Sequence, residues 1–230
     1  MANFKTHLQF STIGSGLAST LFLNGQFITA EDAILCWVAG SFGGILPDLD
    51  SNNSHSLAIL FGLLSIVTCA VTILYGVKHW PLLQVWGATF VTFAVVNLLI
   101  RPTFEKFTVH RGIFHSVLGA IFTGLLVAIV SKKCGLSSTS SWFVALFTSF
   151  GFLLHLILDE IYAVEFTSIS VKRSFGTAFK IFDYGNLKTA IGLSLSIAVL
   201  YFFLPPYENF LGIMSDIETY KKLLSGVYTL

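Results

Sequence analysis

Two neighbouring stretches decide the fold: Ser56–Val77, SLAILFGLLSIVTCAVTILYGV, and Trp80–Ile100, WPLLQVWGATFVTFAVVNLLI, in which no Asp, Glu, Lys or Arg occurs. Each is close to the roughly 20 residues that cross a hydrocarbon core as an α-helix. The rest of the chain has the same character. Of its 230 residues 54% are hydrophobic and only 11% are charged, where a soluble domain carries about 25% charged residues. A soluble chain of this length could bury one such helix, not five. The sequence is that of an integral membrane protein.

Working outward from that pair, apolar windows predict helices at Leu8–Ile28, Ala33–Leu46, Leu57–Val77, Leu82–Ile100, Ile113–Val130, Trp142–Ala163 and Thr189–Leu204. This is an all-α, polytopic transmembrane bundle of about six or seven segments. The second window is short and carries Gly40, Gly43 and Gly44. It reads either as a tilted helix packed through its small residues or as a re-entrant segment. No internal repeat and no soluble domain stand out, so residues 1–230 read as one membrane-embedded domain with a polar, basic loop at about 164–188. The first window is interrupted by Gly, Ser, Thr and Asn and leads into further segments, which marks it as retained rather than as a cleaved signal. A net charge of +1 gives no reason to expect nucleic acid as a partner. Cys36, Cys69 and Cys134 lie far apart, so neither a disulfide nor a thiolate metal site is expected.

The polar residues gain meaning from their positions on this map. Asp48 and Asp50 follow the second segment in PDLD. Two crossings later, His110, Arg111, Gly112, His115 and Ser116 open the fifth, and after two more, His155 and Asp159 fall near the end of the sixth. An even number of crossings separates each group from the next, so all three reach one membrane face. His7 joins them if the first two segments form a complete hairpin. With seven spans that face carries Lys5, Arg101, Lys106, Arg111, Lys172, Arg173, Lys180 and Lys188, against Lys78, Lys132, Lys133, Lys221 and Lys222 opposite. The excess predicts a cytoplasmic motif face.

His155 and Asp159 are four apart, on one helix face. Ionisable groups inside an apolar helix are costly unless satisfied, and point to function or to a structural bond between two helices. Asp48 and Asp50 repel unless a cation or proton lies between them, or they belong to a solvated turn, DLDSNNS. An EF-hand loop is excluded, because Asn53 and Ile59 stand where that loop needs Gly and Glu. His110 and His115 diverge on an unbroken helix but approach one another if Gly112 breaks it. The free N–H groups at that helix start, with Ser116 and Arg111, could then hold an anion; the bland alternative is an interfacial loop. Imidazole with carboxylate suits zinc, manganese or iron, in one or two ions. His55 is a weak ligand candidate, and His79 lies at the opposite face.

His7, GGILPDLD, HRGIFHS and HLILDE together resemble the YdjM-like family of bacterial inner-membrane metal-dependent hydrolases. The resemblance covers about Phe4 to Lys180, with VKRSFGTAFK as a more basic departure from the family's usual ending. It implies a multi-pass inner-membrane hydrolase with metal ligands at His7, Asp48, Asp50, His110, His115, His155 and Asp159. The His-xxx-Asp helix is also similar, more faintly, to zinc phospholipase C and P1 nuclease sites, which points to phosphate esters.

The expected function is hydrolysis of a phosphate ester, such as a lipid headgroup, at the membrane surface. A divalent ion, zinc or manganese, makes a nucleophile of water at neutral pH. Asp50 bridges ions or acts as general base. Arg111, with Lys172, Arg173 and Lys180, stabilises phosphoryl charge, and Ser116 helps bind it. The partner is therefore a membrane lipid or lipid-linked substrate. The rival is a divalent-cation transporter, whose ligands would sit near the midplane of repeated halves; a non-catalytic metal-binding membrane protein is the blander alternative. A membrane protease is disfavoured, because no HExxH motif is present.

Overall fold

The computed structural model describes residues 3–50, 55–103, 115–165, 170–171, 180–182, 184 and 187–228. Contacts divide the chain into two units, Met1–Pro47 with Ile113–Leu230, and Asp48–Gly112. Among the described residues, the regular structure is helical apart from a two-residue antiparallel ladder that pairs Val164 with Val171 and Glu165 with Ser170.

In the larger unit, α1 (Phe4–Asn24) and α2 (Ala30–Gly43) pack on each other. Asn3 caps α1 by accepting the Thr6 N–H, and Thr29 caps α2 by accepting that of Asp32. Between them Gln26, at φ 60°, takes the left-handed conformation that closes a helix. Both helices therefore start about three or four residues before the apolar windows do. Capping chemistry, not hydropathy, sets their ends.

Helix α5 (Val117–Lys133) and α6 (Ser138–Ile161) follow. The window Ile113–Val130 is corrected at its start: Ser116 is the N-cap, so His115 precedes α5 instead of lying in its first turn. Helix α6 is the axis of the unit, touching α1, α2, α5 and α8. Its neighbours approach through small residues. A Cβ on Gly43 would collide with the Thr148 carbonyl, and one on Gly151 with the Gly40 carbonyl. Gly40 and Gly44 also receive Ser15 and Ser11 of α1 directly against their backbones. Such contacts let helix backbones approach where lipid gives no hydrophobic drive to associate. The short second segment is packed through its small residues.

Helix α7 (Leu187–Tyr201) packs on α5. Two short helices that the apolar windows do not predict complete the unit, α8 (Glu208–Ser215) and α9 (Ile217–Tyr228). They are amphipathic and carry charges, so a search for uninterrupted apolar runs passes over them.

The smaller unit is a hairpin of α3 (His55–His79) and α4 (Leu82–Ala94), the latter continuing through a π-helical turn at Val95–Ile100. Polar bonds join the two: Asn97 Nδ2 donates to Ser65 Oγ at 2.8 Å, and the Thr72 and Thr92 hydroxyls meet at 3.2 Å. Among the described residues, three helical stretches are long and apolar enough to cross a membrane, at Leu57–His79, Leu82–Thr103 and Ser138–Ile161, and Leu187–Tyr201 is a shorter apolar helix. Of these, the last long one is 61% buried within the protein, against 18% and 11% for the hairpin. The hairpin accordingly presents Leu74, Leu83, Phe90 and Leu98 outward, and α6 forms a core.

Candidate metal centre

Three imidazoles converge on one buried carboxylate. His7 comes from the first turns of α1, His115 from the residue before the α5 cap, and His155 from α6 one turn before Asp159. All four side chains are buried, with at most 2% of any residue exposed. The Nε2 atoms of His7, His115 and His155 lie 3.2, 4.0 and 3.9 Å from Asp159 oxygens. The His7 and His155 rings stack with centroids 3.6 Å apart, and His115 meets His155 edge-on at 5.7 Å.

The sequence places these residues by periodicity. His7, Ser11, Ser15 and Ser19 recur every four residues and are the buried positions of α1. Small serines let that face press onto α2 and α6, and the same packing carries His7 to Asp159. On α6, the four-residue spacing puts His155 and Asp159 on one face, as expected from the sequence.

Protons and lone pairs show what the cluster can do. His155 Nδ1 lies 2.7 Å from the Gly44 carbonyl. A carbonyl only accepts, so Nδ1 carries the proton and donates. In the neutral ring, Nε2 then carries a lone pair, 3.9 Å from Oδ2 of Asp159, another acceptor. Two acceptors facing each other call for a cation between them, a proton or a metal. A ring whose far nitrogen donates to a backbone carbonyl is the arrangement that orients metal-binding histidines. Among the described residues, His7 Nδ1 is buried with no hydrogen-bond partner. One donor atom each from His115, His155 and Asp159 lie within 4.8 Å of one another, so these residues could hold a metal ion. Nitrogen and oxygen donors of this kind fit zinc or manganese.

Of the other residues singled out in the sequence, Ser116 caps α5 by accepting the Gly119 N–H at 3.1 Å. The N–H groups of Val117 and Leu118 donate to the carbonyls of Lys180 and Ile181, and that of Ala120 to Ser116. The expectation that this helix start offers free N–H groups to an anion is therefore corrected: its first turn is already bonded. Lys180 is brought beside Ser116 by its own backbone. Asp48 is the second residue of the short 3₁₀ turn Pro47–Asp50, belongs to the other unit and is half-buried. The side chain of Asp50, and His110, Arg111, Lys172 and Arg173, lie outside the described residues. Sequence reasoning missed the Gly44 carbonyl and the docking of Lys180–Ile181. The signals for the first were the GxxGG run of α2 and the serine period of α1. Nothing in the local sequence marks the second.

Fold and cluster together define a helical membrane protein with a buried histidine–carboxylate centre. The chain matches the family described as "YdjM inner membrane protein" over residues 1–208, and it belongs to that family. It is accordingly an inner-membrane protein. No curated protein and no solved structure matches it.

Proposed function

We propose that this chain is a metal-dependent hydrolase of phosphate esters carried by membrane lipids. The observation behind this reading is the His155 lone pair held facing the Asp159 carboxylate by the Gly44 carbonyl. His115, His155 and Asp159 hold a divalent ion, zinc or manganese, with His7 supporting Asp159 and a second ion possible in the full ligand set. The bound ion supplies activated water and charge stabilisation at neutral pH. Asp50 accepts a proton, while Arg111, Lys172, Arg173 and Lys180 meet the anionic headgroup. The chain crosses the membrane six or seven times, with the motif face cytoplasmic.

Packing disfavours the cation-carrier reading. A carrier needs a polar path from its ligands across the bilayer, and Ser11, Ser15 and Ser19 form a stripe leading away from His7. Yet Ser11 and Ser15 are fully buried against the backbones of Gly44 and Gly40, so the stripe serves helix packing.

The deciding experiment is paired. Purified protein is assayed for phosphate release from phospholipids and polyprenyl phosphates, and proteoliposomes for zinc or manganese uptake. Phosphate release that requires a divalent ion supports the hydrolase. Uptake abolished by His155→Ala, with no ester cleaved under any metal, overturns it. Metal content of Asp48→Ala, Asp50→Ala and His110→Ala tests the ligand roles implied by family resemblance.

A further inference from the structure

A groove of about 350 Å³ is lined by Leu118, three residues after His115, by Phe182, and by Leu187, Ala190, Ile191 and Leu195 of α7. Its walls are hydrocarbon. The one hydroxyl in it, Ser194, is turned back onto the Ala190 carbonyl at 2.9 Å. The groove opens sideways, because Leu187, Ile191 and Leu195 are each more than half exposed on an apolar helix. In an inner-membrane protein, such a face meets lipid tails.

The two ends of the groove differ. One end is Leu118 and Phe182, joined where the Lys180 and Ile181 carbonyls accept the N–H groups of Val117 and Leu118. The backbone of Lys180 thus lies at this end, two residues before Phe182 and bonded to Val117, which follows Ser116 and His115 in the chain. From there the lining follows α7 from Leu187 to Leu195, ~12 Å at the rise of an α-helix. That is close to one leaflet of a hydrocarbon core ~30 Å thick. A hydrocarbon slot of leaflet depth, with a lysine in the chain at one end and His115 three residues before Leu118, has the polarity of a phospholipid.

We propose that this groove seats an acyl chain of an anionic phospholipid, with the headgroup at Lys180. That this lipid is also the substrate rests on the hydrolase reading; the seat itself does not. Its occupant is a chain entering from the bilayer and not a peptide, because among the described residues the lining is hydrocarbon apart from Ser194, whose hydroxyl already donates to Ala190.

The test uses full-length protein in liposomes containing phosphatidylglycerol with a photoactivatable diazirine in its acyl chain. Cross-linked peptides are mapped by mass spectrometry, and phosphate release is measured on the same preparations. Label should concentrate at Leu118 and Leu187–Leu195 over the outward face of Leu82–Thr103. Ile191→Trp, at an exposed position that tolerates a larger ring, should lower that label about fivefold or more, the ratio made by ~1 kcal/mol. Metal content should stay normal. Ala190→Phe, which fills the groove from its floor, should do the same. Label spread evenly over both regions and insensitive to Ile191→Trp overturns the proposal, even if phosphate is released, and leaves the hydrolase standing. Label in the groove with no ester cleaved under any metal has the opposite meaning: the lipid seat holds and the hydrolase fails.

Discussion

His155 donates from Nδ1 to the carbonyl of Gly44 at 2.7 Å, and this bond decides which nitrogen of the ring faces Asp159. Substituting either member of the pair should therefore act on metal retention first. His155→Ala and Asp159→Ala are expected to weaken metal binding by about 10–100-fold or more, the range for losing even an outer partner of a metal ligand. Elemental analysis of purified protein checks this. Unchanged metal content in both variants would remove the centre.

The close approach of α2 and α6 makes a second prediction. Gly43→Ala and Gly151→Ala drive a methyl into a neighbouring carbonyl, and should destabilise the protein by about 1–3 kcal/mol, the usual cost of overpacking. Gly62→Ala and Gly192→Ala meet open space and should be neutral, or gain up to about 1 kcal/mol from helix propensity. Thermal unfolding in detergent separates the pairs. Equal behaviour of all four would mean that α2 and α6 do not pack as described.

Much of this was legible beforehand, and for different reasons at different places. Helix positions followed from runs without charge, because burying a charge in hydrocarbon is costly. Helix ends did not, since Asn3, Thr29 and Ser116 fix them through side-chain bonds that hydropathy ignores. His155 with Asp159 was readable from a four-residue period on one helix. Their meeting with His7 and His115 required the tertiary fit of Ser11 and Ser15 onto glycine backbones, which no single stretch of sequence encodes. The anion site expected at the start of α5 failed on a long-range backbone contact from Lys180 and Ile181.

Sidedness can be checked with a thiol the chain already carries. Cys134 is exposed, whereas Cys36 is buried. A membrane-impermeant maleimide should reach Cys134 from outside intact cells. In a Cys134→Ser background, Thr103→Cys should react only in inverted vesicles. Labelling of both from one side would break the even-crossing count.

Ser116 should act as a cap and not as a substrate ligand. Ser116→Ala is expected to cost about 1 kcal/mol of stability, with Ser116→Asp recovering most of it. KM for any cleaved ester should stay within experimental error in the Asp variant; a large rise would return the residue to the substrate.

The basic side chains should divide from the metal ligands in kinetics. Arg111→Ala is expected to lower kcat by about 100–1,000-fold, as loss of a charge-stabilising donor does, while metal content holds. Neutralising Lys172, Arg173 and Lys180 together should raise KM with kcat little changed. Loss of metal in either variant would place these residues in the structure of the centre instead.

The bonded first turn of α5 has an evolutionary consequence. Where a helix start is open, the backbone itself selects anions, and that selectivity is inherited with the fold. Here those donors are consumed by Lys180, Ile181 and Ser116. Any preference for one headgroup over another must then be written in side chains. On the hydrolase reading, a change of substrate would then need only side-chain substitutions, without rebuilding the helix that follows His115.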